Sequence, residues 1–216
     1  MSSAPRCRRW SSPTCGSNCR APTEPMNQDA QAVLDFWFGA PGSPEHGIDR
    51  PEWFRKDAAF DARIRERFGT LIGAVLGGAR FGAAPQETLA AIVVLDQFTR
   101  NVHRDTPLAF AGDAQSLGLA QAMTARGADH GLPVLQRSFV YLPFEHAEDL
   151  ALQERSVRCF EALAAGSPAM RDRLDYAIKH RDVIRRFGRF PHRNQILGRA
   201  STPEEVAFLA EPGSRF

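Results

Sequence analysis

Apolar residues recur at intervals of three or four positions along most of this chain. That interval places them on one face of an α-helix, whereas a half-buried strand alternates at every second position. No strand pattern survives comparison with the helical one, so the sequence predicts an all-α fold, either a bundle or an array of helix pairs. The predicted helices cover residues 28–38, 53–76, 85–101, 108–126, 132–146, 149–163, 168–187 and 203–210.

The segment 85–101 is apolar on nearly all sides. A helix with this pattern is buried on every face, so it is expected at the centre of the fold. Its longest apolar run stops at Asp96 and is far shorter than the roughly 18 residues of a membrane span. We therefore expect no association with a membrane.

Several residues mark the ends of the predicted helices. Gly39 and Gly188 follow helical segments and suit C-terminal caps. Ser167 is placed to cap a helix that starts at Pro168, and residues 202–205 (TPEE) form a capping box. Pro143 is expected to kink or break the helix over 132–146, because proline lacks the backbone N–H.

The first 25 residues differ in character from the rest of the chain. The 216 residues carry a net charge of +2, but residues 1–25 hold four arginines against one glutamate, so the remainder has a net charge of −1. The leader is rich in Ser, Pro and Thr and lacks the apolar core of a secretory signal, which predicts disorder. We expect translation to start at Met26 and residues 26–216 to form a single helical domain.

Cysteine usage favours a reducing compartment. Cys7, Cys15 and Cys19 lie in the leader without the spacing of a zinc site. Cys159 stands alone in a helical segment and is expected to be a buried thiol. With no disulfide framework in the body, we expect a cytoplasmic protein, and no pattern predicts a cofactor or a metal.

The polar end of the central helix is the first candidate site. Asp96 and Arg100 are four residues apart on its apolar face, in the favourable order for an ion pair. Gln97 and Asn101 form a second polar pair with the same spacing. The alternative is structural, namely an internal salt bridge with capping of the helix C-terminus.

A second group of polar residues follows Tyr141. Glu145 and Asp149 are one turn apart and His146 lies beside them, a combination that can bind a metal or transfer protons. The spacing does not match a diagnostic metal motif, and such a helix end is often solvated or paired with arginines. His180 is also a candidate, although a histidine between apolar positions is commonly a hydrogen-bonded core residue.

The segment 186–194 mixes arginines and a histidine with Phe, Gly and Pro. With the basic residues of 179–186 it can contact phosphates. Alternatively, it forms an anion pocket, because the planar guanidinium of arginine binds carboxylate or phosphate through two parallel bonds. In the third interpretation its side chains bond only their own loop. The candidates for the pocket are Arg189, His192, Arg193 and Asn194.

Two places in the chain present Arg-Asn shortly after an aromatic residue, at 98–101 and 190–194. Both follow a helix predicted to be buried. We expect these two ends to converge on one pocket, with Glu145 and His180 between them.

Four motifs together resemble a bacterial family called domain of unknown function 924. They are LDFWFG at 34–39, DQFTRN at 96–101, YLPFEHAED at 141–149 and FGRFPHRN at 187–194. Thr99 departs from the family pattern, which usually has proline there. The resemblance covers residues 30–209 and implies stacked antiparallel helix pairs in a right-handed array similar to tetratricopeptide repeats. It implies no activity.

The leading functional hypothesis is binding of a small anion, with an enzymatic role as an extension of it. The anion would be held by Arg100, Arg189 and Arg193 and oriented by Asn101, Asn194 and Tyr141, in a pocket also lined by Asp96, Gln97 and His146. Glu145, His180 and His192 are the candidates for catalysis. The alternative is an interaction module that binds a protein or peptide. Nucleic-acid binding ranks last because the body of the chain is close to neutral.

Overall fold

The structure, a computed structural model, describes residues 25–214 of the chain. The predicted leader covers residues 1–25, of which residues 1–24 lie outside the described residues, and nothing in the structure tests the start at Met26. Within residues 25–214 the fold is all-helical, as predicted, and contains no strand. Its α-helices are α1 (Gln28–Phe38), α2 (Ala58–Leu76), α3 (Pro85–Ile92), α4 (Thr99–Val102), α5 (Asp113–Ala125), α6 (Val134–Glu145), α7 (Leu150–Gly166), α8 (Arg171–Phe187) and α9 (Pro203–Leu209).

The predicted helix over 85–101 is interrupted by a π-helical segment, Val93–Phe98, between α3 and α4. The N–H of Thr99 donates to the carbonyl of Val94, five residues back, instead of four. A π turn holds one residue more than an α turn. The π-helical segment contains Asp96 and Gln97, both buried in the core.

Three other predicted boundaries were wrong, each because a short turn precedes the helix. Trp53 belongs to a 3₁₀ turn, and α2 begins after Asp57, whose side chain accepts from the first free N–H groups. Leu108 belongs to the 3₁₀ turn Pro107–Phe110, ahead of α5. Ser167 makes no cap hydrogen bond, because another 3₁₀ turn, Pro168–Met170, comes before α8.

Other local predictions are confirmed. Thr202 and Glu205 form the capping box of α9, with the Glu205 N–H donating to Thr202 Oγ1 at 3.2 Å and the Thr202 N–H donating to Glu205 Oε2 at 2.7 Å. Gly188 ends α8 with φ of 70°, a backbone conformation that glycine adopts without a steric cost. By contrast, the expected break at Pro143 was wrong, because α6 continues through Pro143 and ends two residues later.

The helix α3 lies at the centre, as its uniform apolarity predicts, and packs against α1, α5 and α6. Around it the core is unusually aromatic, and its hub is the fully buried Trp37. Ring pairs of this kind add about 0.5–1.5 kcal/mol each beyond the area they bury. The neighbouring rings, with centroids 5.5 to 5.8 Å from that of Trp37, are Trp53, Phe60, Phe98 and Phe139.

The second half of the chain adds successive helices to this core. The helix α7 packs against both α6 and α8. The segment after α8 folds back on the end of α8 through a smaller apolar cluster of Val183, Ile184 and Phe190. This return brings the region after Gly188 to the ends of α6 and the π-helical segment. None of the helices within residues 25–214 has the length and apolarity needed to cross a membrane.

Gly112 fixes the contact between the π-helical segment and the start of α5. A Cβ at this position would lie 2.2 Å from the carbonyl oxygen of Leu95, which belongs to backbone and cannot rotate away. We predict that Gly112→Ala lowers the free energy of unfolding by about 2 kcal/mol or more, measured by urea denaturation.

Gly118 is the matched control, because it lies in the interior of α5 with open space around its Cα. Gly118→Ala should raise the stability by about 0.5–1 kcal/mol, since alanine is the better helix former. Equal effects of the two substitutions would contradict the close approach at Gly112.

Candidate functional site

The Asp96 carboxylate is the most heavily bonded group near the end of the π-helical segment. Its Oδ1 accepts from His146 Nδ1 at 2.7 Å and contacts Arg100 NH1 at 3.2 Å, while its Oδ2 accepts from Gln97 Nε2 at 2.5 Å. Burial alone would raise the pKa of Asp96, but Arg100 and the bonds from His146 and Gln97 outweigh it and hold the pKa well below its ordinary value. Asp96 is therefore ionised at neutral pH.

His146 takes its tautomer from this contact. An ionised carboxylate only accepts hydrogen bonds, so Nδ1 of His146 carries the proton and Nε2 carries the lone pair. Burial, opposed in part by Asp96, lowers the pKa of His146 below its ordinary value. The ring is consequently neutral at neutral pH, and its side chain remains 16% exposed.

Arg100 and Arg193 meet at the carboxylate of Asp113, the first residue of α5. Arg100 NH2 lies 2.9 Å from Asp113 Oδ1, and Arg193 NH1 lies 3.5 Å from Asp113 Oδ2. Burial raises the pKa of Asp113, with Arg100 acting in the opposite direction. We call these three residues the Asp113 cluster.

The guanidinium of Arg193 is held mainly by aromatic rings. Its central carbon lies 4.7 Å from the Phe110 centroid and 4.6 Å from the Phe190 centroid, within the range of a cation–π contact. Arg193 Nε is buried and has no hydrogen-bond partner among the described residues. Burial and the nearby Arg100 lower the pKa of Arg193 to about 10, which leaves it charged at neutral pH.

Glu145 and His180 form a second buried contact, in which both side chains are neutral at neutral pH. Burial and the charge of Asp96 raise the pKa of Glu145 to about 8, and burial lowers the pKa of His180 to about 3. His180 Nδ1 lies 3.3 Å from Glu145 Oε1 but only 2.8 Å from the carbonyl oxygen of Tyr176, which accepts its proton. The contact is therefore not a salt bridge, and Glu145 Oε2 is buried without a partner within residues 25–214.

The predicted convergence of the two Arg-Asn segments is realised by their arginines and not by their asparagines. Asn101 donates to Asp61 at 2.7 Å, away from the Asp113 cluster. Asn194 donates to Ser201 at 3.1 Å and to Glu205 at 3.2 Å. His192 does lie near the arginines, since burial and Arg193 lower its pKa to about 4.

Two further residues assigned to the pocket are engaged elsewhere. Arg189 donates to both carboxylate oxygens of Glu205, at 2.7 and 2.8 Å, and ties α9 to the end of α8. Tyr141 donates to Asp129 at 2.5 Å. Both side chains therefore donate to residues of the fold. For Arg189 this agrees with the third interpretation of segment 186–194, in which its side chains have a structural role.

Other polar residues play structural parts as well. Asp149 caps α7 by accepting from the Leu152 N–H at 3.0 Å. Tyr176, one turn before His180, is more than half exposed, so His180 does not lie in a continuous apolar stripe. Within residues 25–214 no group of three or more His, Cys, Asp or Glu side chains is arranged to hold a metal ion.

Sequence reasoning missed Asp113, Phe110 and Glu148. Asp113 looks like an ordinary acidic residue at a helix start, and Phe110 like one more apolar residue. Glu148 accepts from the Phe190 N–H at 2.8 Å and from Arg199 at 2.6 and 2.9 Å. These bonds fix the loop that carries Arg193. A pattern of sequence spacing cannot reveal such contacts, because they join distant parts of the chain.

The residues that match known proteins include the whole of the site. A family model described as "Bacterial protein of unknown function (DUF924)" matches residues 33–213, which include every residue of the Asp113 cluster. The chain belongs to the DUF924 family. No curated protein matches the chain.

One solved structure resembles this DUF924 member over most of its length. It is described as a protein of unknown function, ATU0120, from Agrobacterium tumefaciens. The two share 38% sequence identity with a TM-score of 0.68, and the match covers 84% of this chain and 96% of the other. The likeness supports the fold and the family and carries no activity.

Glu145 yields a prediction about pH. Its pKa rises from about 4.5 to about 8 on folding, so the folded state holds a proton that the unfolded state has lost between these values. Stability contributed by that proton is complete below pH 4.5 and is lost as the pH rises to 8. Glu145→Gln removes this dependence, so its stability relative to the wild type should rise by on the order of 4 kcal/mol between pH 5 and pH 9.

Urea denaturation at pH 5, 7 and 9 measures this gain. Glu66→Gln, an exposed substitution on α2, controls for the loss of one negative charge. A stability difference between Glu145→Gln and the wild type that stays constant from pH 5 to pH 9 would show that Glu145 ionises normally.

Proposed function

We propose that the protein binds a small organic anion between Arg100 and Arg193. The observation that carries the proposal is the state of Arg193. This cation is held between two aromatic rings, has one long contact with a carboxylate and keeps a buried Nε without a hydrogen bond among the described residues. Buried donors without partners are rare, because each costs free energy.

Neighbouring arginines provide the contrast. Arg189 donates to Glu205 and to the carbonyl of Ala200. Both terminal nitrogens of Arg199 donate to Glu148 or to the carbonyl of Phe190, although Arg199 Nε, like Arg193 Nε, is buried without a partner among the described residues. Those two bind the chain to itself. Arg193 retains donor capacity, which an incoming carboxylate can use through its planar fork.

Charge balance favours a ligand that displaces the Asp113 carboxylate over a ligand that binds beside it. The carboxylates of Asp96 and Asp113 face the two arginines. At neutral pH Asp96 is ionised, while Glu145 and His146 are neutral. The contact of Arg100 NH2 with Asp113 Oδ1 does not meet the geometry of a directed hydrogen bond. A ligand carboxylate can therefore replace Asp113 between the arginines without changing the net charge.

The exposed fractions of the side chains indicate that a ligand would enter from the Asp113 side. The side chains of Arg100 and Asp113 are 20% and 25% exposed, whereas that of Arg193 is 8% exposed. Asp113 thus lies at the solvent side of the Asp113 cluster and can turn outward.

The surface charges give little support to nucleic-acid binding. In the basic run of α8, Arg181 contacts Asp182, and Arg185 contacts Asp182 and Glu154. Arg186 contacts Glu204. These pairs reduce the positive potential that phosphate groups would meet.

An interaction module, with helix pairs stacked as in tetratricopeptide arrays, is the second candidate. The succession of α6, α7 and α8, each packed on the next, supports that arrangement. Arg173 stacks on the exposed ring of Phe54 and pairs with Asp49, and the exposed Tyr176 lies one turn away on α8. Aromatic and arginine side chains are typical of interface centres.

A thermal-shift titration tests the anion site. Sodium propionate at about ten times its dissociation constant should raise the melting temperature by about 4 °C above a sodium chloride control of equal ionic strength. Arg193→Met keeps bulk between the two rings without the charge and should abolish the shift. Arg186→Met, an exposed arginine on α8, should preserve it.

Parallel titrations with phosphate and sulfate distinguish a carboxylate site from a general anion site. If no anion exceeds the chloride control, or if Arg193→Met responds like the wild type, the Asp113 cluster does not bind anions.

Asp113→Asn separates the exchange from a fixed structural role. Removal of the competing carboxylate should tighten propionate binding by about tenfold, a change of about 1.4 kcal/mol. Isothermal titration of wild type and variant measures the difference. Weaker binding by Asp113→Asn would mean that Asp113 supports the site and is not displaced from it.

A further inference from the structure

We infer that His146 is a general base at this site and that Asp96 is its positioning residue. The substrate class is a small carboxylate with a removable proton on an atom near the carboxylate group. The inference rests on the proposed function for the anion that is bound, but the arrangement of the base is independent of it.

The first support is the shared oxygen of Asp96. His146 Nδ1 and Arg100 NH1 both contact Asp96 Oδ1, at 2.7 and 3.2 Å. The two nitrogens are therefore at most roughly 6 Å apart, a span set by two hydrogen-bond lengths. An anion held by Arg100 places atoms a few bonds from its carboxylate next to the His146 ring.

The second support is the pairing of an ionised carboxylate with a neutral imidazole. Asp96 fixes the proton on Nδ1 and leaves Nε2 to accept another, and it stabilises the imidazolium that then forms. The charged and titratable groups around the ring come from every neighbouring element. They are Asp96 of the π-helical segment, Arg100 of α4, Asp113 of α5, Glu145 of α6, His180 of α8, and His192 and Arg193 of the loop after it.

The third support is the backbone that carries Asp96. A π turn inside an α-helix is less stable than a regular turn and occurs frequently at functional sites. Here it holds Asp96 and Gln97, whose side chains bond each other at 2.5 Å. The Asp96 carboxylate is 1% exposed while the His146 ring is 16% exposed, so the dyad has a buried end and a solvent-reachable end.

The chemical step is one proton transfer. A C–H or O–H bond of the bound carboxylate breaks, its proton goes to His146 Nε2, and the electron pair stays on the substrate. Asp96 remains ionised throughout. The cycle closes when the imidazolium returns its proton to the substrate or to water, so no oxidant or reductant is required.

Acylation by diethyl pyrocarbonate, mapped by mass spectrometry, tests the base without a known substrate. The reagent attacks a neutral imidazole nitrogen that solvent can reach. We expect His146 to be acylated, with a rate that falls as the pH drops through its lowered pKa. His46 is the internal reference, because its Nδ1 contacts the Gly39 carbonyl at 2.8 Å and its ring is exposed.

Asp96→Asn supplies the decisive comparison. An asparagine amide can donate to Nδ1 and so move the proton to Nε2, which should slow acylation of His146 at least about tenfold while His46 is unchanged. Nitrogen-15 chemical shifts of the His146 ring report the tautomer directly. An unreactive His146 in the wild type, or a ring protonated on Nε2, would overturn the inference.

The same assay separates this inference from the proposed function. Propionate should protect His146 from acylation in the wild type and should fail to protect it in Arg193→Met, whose His146 still reacts. If His146 is acylated at the same rate with and without propionate, the pairing of Asp96 with His146 is still supported, but the anion site is not. A thermal shift with propionate, together with a His146 that is not acylated, would support the anion site and count against His146 as a base.

Discussion

The arrangement of the whole site depends on one buried ion, the carboxylate of Asp96. An ionised group in an apolar core is tolerated only when its charge and its hydrogen-bond capacity are met. Arg100, His146 and Gln97 meet these needs from three directions. The same contacts fix the tautomer of His146 and the direction of Arg100. The properties of these two side chains therefore depend on the buried charge of Asp96.

Several predictions from the sequence succeed because they depend on local geometry. The spacing of Asp96 and Arg100 implies a pair on one helix face, and the capping box of α9 depends on neighbouring residues alone. The uniform apolarity of 85–101 places that segment at the centre. Such inferences need only the period of the helix, and the structure agrees with them.

The features that were missed arise from contacts between distant parts of the chain. Asp113 joins the site because Gly112 lets α5 approach the carbonyl of Leu95, and a helix-start aspartate gives no sign of this. Asn101 and Asn194 share a sequence context with the two arginines but turn toward Asp61 and Glu205. Their directions are decided by which partner lies within reach, and a single sequence does not show that.

The π-helical segment also sets the rotational phase of α4, the helix that comes directly after it. Each residue of an α-helix turns the chain by about 100°, and a π turn holds one residue beyond the α-helical repeat. The π turn takes up that extra residue, so α4 keeps the direction it would have after a regular helix one residue shorter. A relative that lacked one residue between positions 93 and 98 would form a regular helix and would still present its arginine toward Asp113. A regular helix over the same number of residues would instead rotate α4 by about 100° and turn Arg100 away from Asp113. The π turn therefore lets the chain hold one more residue without separating the two arginines.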